Sequence, residues 1–303
     1  MTNSSDLRYL MSLPKFDYFE PKTIDEACSL LSKYKDEARI IAGGTDLLVE
    51  LRKREISPKY IINIKKIPNL DYVSYNKEGL AIGAVATLSD IENSGVVKKN
   101  FPLVAQAAHE TGPLPIRHIG TMGGNLCNAM PSADTAPSLI GLEAKVKIQG
   151  PKGTRFTTVA DFFVDSGNSA LQNGEMLVEI QIPSLPLNTT GVFLKIPERS
   201  AMDVAVASVA AVITMDEAHS NIVEAKIVLG AVAPTPMRAH QAEDIVKGKA
   251  VSEDLIEKAA LAAAKEAKPR TRPDYKRELV RVLTNRAIRE AVAVSLSDAL
   301  GGG

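Results

Sequence analysis

Short apolar runs separated by polar corners make up the first part of the chain. Thr23 and Glu26 form a capping-box pattern, and the apolar residues that follow recur at helical spacing, which predicts a helix up to Tyr34. A strand, a short helix and a second strand are then predicted at 38–42, 46–55 and 59–64. This is the pattern of a small α/β unit with a glycine corner at the end of its first strand.

From residue 70 to Pro183 the pattern changes to strands, several of which alternate apolar and polar positions. Such alternation is typical of half-buried strands. The predicted strands cover 70–75, 79–84, 144–149, 155–160 and 176–183, and the predicted helices between them cover 87–97 and 101–110. The turn-forming segment PSLPLNTT, Pro183 to Thr190, is the predicted domain boundary.

Three strands and then two helices are predicted beyond that boundary. The strands cover 191–198, 205–215 and 222–232, and the helices cover 252–268 and 275–300. Strands grouped before helices are typical of an α+β fold. The chain shows no repeat of fixed period.

Composition narrows the possible classes of partner. The 303 residues carry 36 basic and 36 acidic side chains, so charge gives no reason to expect nucleic acid or an acidic membrane surface. A neutral surface is compatible with a subunit of a larger complex. No basic and apolar leader is seen at the N-terminus and no run of about 18 apolar residues occurs, so we expect a cytoplasmic protein without a membrane span.

The two cysteines and four histidines suggest no metal site of the chain's own. Cys28 and Cys127 are too few for an iron–sulfur cluster, which needs four ligands. The histidines lack metal-ligand spacing, and only His118, beside Arg117, is placed where a catalytic role is conceivable. We expect Cys28 to lie in the core and Cys127 to be a small buried residue.

Two glycine corners are the main chemical signal. The first is AGGTD at 42–46, the second is GTMGGN at 120–125, and Asp134 follows the second. Backbone amides in such corners bind anions without a lysine, so two of them could wrap the phosphates of a pyrophosphate. Neither corner matches GxxxxGK[ST] or GxGxxG, which disfavours P-loop and Rossmann sites. Taken singly, each Gly-Gly is also an ordinary turn signal.

The corners together resemble a specific flavoprotein family. The pattern IRxxGTxGGNxxxxxPxAD over 116–134, after an AGGTD corner, is similar to the FAD-binding medium subunit of the molybdenum hydroxylases, such as xanthine dehydrogenase and aerobic carbon monoxide dehydrogenase. The segment LGAVAPTPMRAHQAE, 229–243, resembles the family's C-terminal domain, so the likeness covers nearly the whole chain.

The resemblance implies an α+β architecture in two parts. A two-lobed PCMH-type FAD-binding domain would occupy 1–183, with a small lobe at about 1–66 and a larger lobe at about 67–183. A smaller α+β domain like that of the carbon monoxide dehydrogenase flavoprotein would occupy 190–303. The cofactor would lie in the cleft between the lobes.

The resemblance also implies cofactor-binding residues, with no catalytic or metal-binding residue in this chain. The first FAD loop matches Arg39, Ile40, Ile41, Ala42, Gly43, Gly44, Thr45 and Asp46, of which Gly43, Gly44 and Thr45 would lie at the pyrophosphate. The second matches Gly120, Thr121, Met122, Gly123, Gly124 and Asn125. Asp134 matches a ligand of the ribityl or ribose hydroxyls, and Leu177 and Lys195 match positions against the flavin ring.

Each of the last three residues has a plain structural alternative. Leu177 could be a core residue of its strand and Lys195 a solvated edge residue. Asp134 could cap the helix that begins at Thr135. In the ligand roles, a carboxylate accepts from sugar hydroxyls, a lysine stabilises negative charge on the reduced flavin, and a leucine excludes water from the ring.

The resemblance finally implies a place in a three-subunit complex. A large partner would carry molybdopterin and a small partner two 2Fe-2S clusters, whose electrons would reach FAD here and pass to an acceptor such as NAD. The alternatives are a stand-alone FAD-dependent reductase or oxidase and a non-enzymatic scaffold subunit without FAD. The sequence leaves the substrate open, although GGNLCNAMPSAD and GAVAPTPMR look closest to the xanthine dehydrogenase branch.

Overall fold

The structure, a computed structural model, describes residues 13–199 and 203–299. The predicted absence of a leader rests on residues before 13 and lies outside the described part. Within the described part, no helix has the length and apolar character needed to cross a membrane. The predicted mixture of helices and strands is confirmed, and the strands of the described part form the four sheets given below.

The small lobe is a three-stranded parallel sheet with two helices. Its elements are β1 (Asp17–Phe19), α1 (Ile24–Tyr34), β2 (Ala38–Ile41), α2 (Leu47–Lys53) and β3 (Tyr60–Asn63), with the strand order β1-β3-β2. The predicted cap is present, because the Thr23 hydroxyl accepts from the Glu26 amide at 3.1 Å. The buried face of α1, including Cys28, packs into the lobe's core.

The larger lobe is built on a five-stranded antiparallel sheet. Its strands are β4 (Val73–Asn76), β5 (Gly79–Gly83), β6 (Lys145–Gly150), β7 (Gly153–Thr158), β8 (Phe163–Asp165), β9 (Asn168–Ser169) and β10 (Met176–Pro183). The order is β4-β5-β10-β6-β7, and β8 pairs with β9. Its helices are α3 (Leu88–Asn93), α4 (Gly95–Asn100), α5 (Pro102–Glu110), α6 (Leu114–Arg117), α7 (Met122–Asn128), α8 (Thr135–Gly141) and α9 (Val159–Phe162).

Hydroxyl caps change two of the predicted elements. The helix predicted over 87–97 is two helices, because Ser94 ends the first and its Oγ accepts from the Val97 amide to begin the second. The strand predicted over 155–160 ends at Thr158, whose side chain caps α9 by accepting from Asp161 N at 3.0 Å. A local cap outweighs the apolar pattern at both places.

The C-terminal part is an antiparallel sheet covered by long helices. It contains β11 (Thr189–Pro197), β12 (Ala205–Met215), β13 (Asn221–Gly230), β14 (Met237–Arg238), α10 (His240–Val246), β15 (Lys249–Ala250), α11 (Glu253–Glu266) and α12 (Pro273–Ala299). The strand order is β11-β12-β13-β14, with β15 on β13. Helix α10 and the short strands β14 and β15 were not predicted.

The C-terminal sheet also completes the core of the larger lobe. Phe193, Val212 and Val228 are buried in the same apolar cluster as residues of α5 and α8. The Phe193 amide donates to Gln106 Oε1 at 3.1 Å, which ties β11 to α5. The predicted division into 1–183 and 190–303 stays a prediction, and the two parts are packed on each other through a common core.

Candidate functional site

The two glycine corners are in direct backbone contact. A Cβ added to Gly43 would lie 2.3 Å from the Ile119 carbonyl oxygen and 2.7 Å from Gly120 Cα. No side chain fits there, so the end of β2 in the small lobe touches the loop before α7 in the larger lobe. The structure therefore brings together two segments that the sequence places far apart.

The first corner is lightly held. Gly44 has φ of +75°, in the left-handed region that favours glycine, and it lies over the Ile41 side chain. Asp46 occupies the N-cap position of α2 without a capping bond, and Thr45 Oγ1 is 3.5 Å from Asp46 Oδ2. Burial raises the pKa of Asp46. Within the described residues, the amides of Gly43, Gly44 and Thr45 donate to no protein acceptor.

The other residues assigned to the first loop support it from the small lobe. Ile40 and Ala42 pack against the core of that lobe. The exposed Arg39 side chain donates to the carbonyls of Asp36 and Ala38, at 3.0 and 2.8 Å. Arg39 thus braces the backbone at the start of β2 and, within the described residues, reaches no group of the second corner.

The second corner is the first turn of a helix, α7, and it is tightly held. Thr121 caps α7 by accepting from the Gly124 amide at 3.0 Å. The Gly120 carbonyl accepts from Leu88 N at 3.0 Å, and Met122, fully buried, donates to the Ala86 carbonyl at 3.3 Å. A Cβ on Gly123 would lie 2.4 Å from the Ala84 carbonyl oxygen. The corner is therefore fixed against the segment 84–88, which joins β5 to the start of α3.

A helix start leaves amide groups without intrahelical partners. In the described part of the chain, neither the Thr121 nor the Gly123 amide donates to a protein acceptor. Together with the unused amides of the first corner, they form a set of N–H donors near a backbone junction. Helix starts and backbone nests of this kind bind phosphate groups.

Asp134 and Lys195 form a buried ion pair beside the second corner. Lys195 Nζ donates to Asp134 Oδ2 at 2.9 Å and also to the Glu110 carbonyl, and the two side chains are 2% and 8% exposed respectively. Burial raises the pKa of Asp134 to about 6, against the attraction of Lys195. The alternative that Lys195 is a solvated edge residue is therefore wrong.

One oxygen of Asp134 is left for a ligand. Asp134 Oδ1 is buried and has no hydrogen-bond partner among the described residues. Asp134 precedes α8 but its side chain makes no capping bond, so the capping alternative is wrong. A buried polar atom without a partner is costly and calls for an explanation, and a hydroxyl donor from a bound molecule supplies one.

Asn125 links the second corner to this pair. The Thr135 hydroxyl donates to Asn125 Oδ1 at 2.6 Å, which ties α7 to the start of α8. Thr135 follows Asp134 directly. The spacing between the corner amides and the Asp134 carboxylate is thus fixed by a side-chain bond.

The remaining singled-out residues are less directly placed. Leu177 is buried in the core of the larger lobe, as its structural alternative proposed. His118 is exposed. Burial raises the pKa of Cys127 to about 12 and that of Cys28 to about 11, so both thiols stay protonated at neutral pH. No group of three metal-ligating side chains occurs within the described residues.

Glu92 was not predicted, and Arg117 was named only within the IRxxGT motif and as the neighbour of His118. Arg117 is buried, and its Nε donates to Glu92 Oε2 at 2.8 Å. The arginine belongs to the IRxxGT motif, which was the one available signal. Glu92 stands 25 residues away in the chain, beyond the reach of any local pattern.

These residues fit FAD. Its pyrophosphate would accept hydrogen bonds from the corner amides that have no acceptor within the described residues. Its sugar or ribityl hydroxyls would donate to Asp134 Oδ1. Close backbone approach is secured by glycines that cannot carry a side chain. The fold and the site together define a flavin-dinucleotide-binding protein.

Comparisons with known proteins agree with that class. Residues 14–185 match the family described as the FAD binding domain in molybdopterin dehydrogenase. Residues 193–291 match the carbon monoxide dehydrogenase flavoprotein C-terminal domain.

Relatives match over almost their full length. The chain is 33% identical to the glyceraldehyde dehydrogenase medium chain of Sulfolobus acidocaldarius, over 91% of this chain and 98% of that one. It is 28% identical to the xanthine dehydrogenase FAD-binding subunit of Escherichia coli O157:H7, over 92% and 96%. A carbon monoxide dehydrogenase structure from Hydrogenophaga pseudoflava superposes with a TM-score of 0.90 at 31% identity, covering 93% of this chain and 99% of that one.

The chain therefore belongs to the FAD-binding medium subunits of the molybdenum hydroxylases. It is an oxidoreductase subunit, and its cofactor is FAD. The names of these relatives cover aldehyde, carbon monoxide and purine chemistry, so the expected xanthine dehydrogenase branch stays a prediction.

Proposed function

We propose that this subunit takes electrons from 2Fe-2S clusters on a small partner and passes them from FAD to an acceptor such as NAD. A large partner with molybdopterin would oxidise the substrate. The FAD would lie at the contact between the two glycine corners. The observation that supports this most is that contact, beside which lies a buried carboxylate oxygen without a partner among the described residues.

Each part of the site has a separate task. The amides of Gly43, Gly44, Thr45, Thr121 and Gly123 would bind the pyrophosphate, while Asp134 Oδ1 would accept from a hydroxyl. FAD, when bound, supplies the redox chemistry, and the chain supplies binding, orientation and electrostatics. Lys195 holds a buried positive charge that favours negative charge near it.

Leu177 has a packing task in this proposal. It lies in the core beneath the site, and its neighbour Val178 accepts from the Ala84 amide at 3.1 Å. The Ala84 carbonyl in turn abuts Gly123. Leu177 would thus help to form a water-free apolar surface behind the second corner. The flavin ring would lie against that surface.

The proposed division of labour follows from what the chain contains. Its two cysteines cannot ligate a 2Fe-2S cluster, so the clusters would belong to a partner. A stand-alone reductase or oxidase needs an acid–base group at the flavin, and the candidate His118 side chain is exposed while both thiols stay protonated. A scaffold without FAD is not favoured by the fit of both corners.

The test starts from the complex as it is purified from its native host. We expect three polypeptides and an absorption spectrum with flavin bands and an iron–sulfur shoulder. After anaerobic reduction with dithionite, added NAD should restore the oxidised flavin bands and form NADH. A chain that purifies alone and turns over by itself would instead indicate the stand-alone enzyme. Flavin that stays reduced with NAD present, yet reoxidises with another acceptor, would exclude NAD.

A further inference from the structure

A buried ion pair holds the loop that leads into the second glycine corner. The Arg117 side chain is 4% exposed, and Nε donates to Glu92 Oε2 at 2.8 Å. Its NH1 group donates to the Gly112 carbonyl at 2.7 Å. The other Glu92 oxygen contacts His109 Nδ1 at 2.7 Å. Burial alone would raise the pKa of Glu92, but these bonds lower it overall.

The helix that carries Glu92 holds the loop at a second point. The first residue of α3, Leu88, donates its amide to the Gly120 carbonyl at 3.0 Å, and Glu92 lies one turn further along. Helix α3 is thus hydrogen-bonded to both Arg117 and Gly120. Ile119 lies between these two points, and its carbonyl is the atom against which Gly43 packs.

The same network reaches the Asp134 side of the site. His109 and Glu110 are the last two residues of α5. His109 contacts Glu92, and the Glu110 carbonyl accepts from Lys195, which holds Asp134. The end of α5 is therefore connected to the loop of the second corner and to the buried carboxylate.

We propose that Arg117, with Glu92 as its counter-ion, is a positioning residue that sets the separation of the two glycine corners and thereby the affinity for FAD. The inference rests on the proposed placement of FAD at these corners. Neither side chain touches the corner amides. They act through the backbone from Gly112 to Gly120.

The geometry of arginine matters for this task. Its planar guanidinium donates in two fixed directions, to Glu92 and to Gly112, whereas lysine has one ammonium on a flexible stem. Arg117→Lys keeps the charge but releases one of the two attachments. The Ile119 carbonyl, which accepts no hydrogen bond within the described residues, would then shift relative to Gly43.

The chain offers a matched control in Arg155. This arginine of β7 donates to Glu175 at 2.8 and 2.7 Å and to the Ala170 carbonyl at 2.7 Å. It is half-buried, and β7 is the edge strand of the sheet, separated from β10 by β6. Arg155→Lys therefore removes a similar bonding pattern away from the corners.

The experiment measures FAD binding to the complex after its flavin has been removed. We expect Arg117→Lys to weaken FAD binding by about tenfold to a hundredfold, the loss of one hydrogen bond to a charged group. Arg155→Lys should stay within about twofold at a comparable loss of thermal stability. An Arg117→Lys affinity equal to that of Arg155→Lys would overturn the inference.

A second set of variants tests whether Glu92 and Arg117 act on FAD binding as a coupled pair. Glu92→Gln keeps the side-chain volume and should weaken FAD binding in the same direction. The double variant Glu92→Gln with Arg117→Gln should lose no more affinity than Arg117→Gln alone, since coupled residues are not additive. Fully additive losses would overturn the inference. A wild-type complex that takes up no FAD would instead defeat the proposed function.

Discussion

The two glycine corners meet at one point but are built differently. The second is the start of α7, with a threonine cap and backbone bonds to Ala86 and Leu88. The first follows a four-residue strand and its N-cap residue, Asp46, makes no capping bond. The second corner is fixed by these bonds to neighbouring segments, whereas the first rests on the core of the small lobe through Ile40 and Ala42 and packs Gly43 on Ile119.

Because of this difference, a side chain added at Gly43 and one added at Gly123 should have different effects. Gly123 packs on Ala84 inside the larger lobe, so a side chain there disturbs that lobe itself. Gly43 packs across the junction of the lobes, so a side chain there separates them. On the proposed site, a side chain at the second corner would thus disturb folding, and a side chain at the first would disturb FAD binding.

Alanine at each of these glycines gives the largest expected effects. Gly123→Ala should lower the free energy of unfolding of the FAD-free chain by about 3 kcal/mol, the upper range for overpacking. Gly43→Ala should lower it by less, yet weaken FAD binding by about a hundredfold, because the corners can no longer meet. Urea unfolding and FAD titration measure the two quantities.

The control for this pair is Gly95→Ala, since a Cβ at Gly95 meets no atom of the described residues within 4 Å. It should leave both quantities near those of the wild type. If Gly43→Ala bound FAD as the wild type does, the junction of the corners would not be the FAD site.

The next effect concerns the charge of Asp134. Its folded-state pKa is raised from 3.8 to about 6, so its protonated form is the one that favours folding. The contribution to stability is complete below 3.8 and is lost as the pH rises through about 6. Asp134→Asn should therefore make the FAD-free chain more stable above pH 6, on the order of 3 kcal/mol, while weakening FAD binding about tenfold.

The pH dependence of the difference tests this sign. Subtracting the wild-type free energy of unfolding from that of Asp134→Asn removes the contribution of the other carboxylates. The difference should be near zero at the acid end and grow until the pH passes about 6. A wild type that is more stable than the variant at pH 8 would show that the bond from Lys195 outweighs burial.

A smaller effect compares the starts of the two helices. Thr121→Ala removes the cap of α7 and should cost about 1 kcal/mol in the FAD-free chain. Asp46→Ala removes a residue that makes no capping bond, so the change should stay within about 0.5 kcal/mol. Equal losses in urea unfolding would contradict the contrast between the corners.

The smallest effect is expected at Arg39. Among the described residues its exposed side chain donates only to the carbonyls of Asp36 and Ala38, so Arg39→Gln should change the affinity for FAD by less than about twofold and the free energy of unfolding by less than about 0.5 kcal/mol. FAD titration of the variant beside Gly43→Ala checks this. A large loss of affinity would mean that Arg39 reorients toward the cofactor.

The sequence predicts elements well where the apolar period is unbroken. Helix α1, strand β3 and most strands of the C-terminal sheet lie where the patterns placed them. It fails where a hydroxyl cap interrupts an apolar run, as at Ser94 and Thr158. It also reads GTMGGN as a turn, because glycine disfavours helices, although Thr121 and the buried Met122 begin one there.

The site shows a similar limit. The glycine corners could be found as motifs, but the contact between Gly43 and Ile119 is a tertiary fact. Asp134 and Lys195 are 61 residues apart, and only the family resemblance selected both. The Glu92–Arg117 pair was not predicted, because an acidic residue on a polar helix face gives no signal until its partner is known.

The packing of the C-terminal sheet against the larger lobe has a consequence for biosynthesis. Chains fold as they leave the ribosome, N-terminal parts first. When β10 has emerged, α8 still lacks its cover of β12 and β13, and Asp134 still lacks the ammonium of Lys195. If FAD binds at the proposed site, it binds late in synthesis, after the C-terminal sheet has formed. A nascent chain stalled on the ribosome before β11 should then carry no flavin.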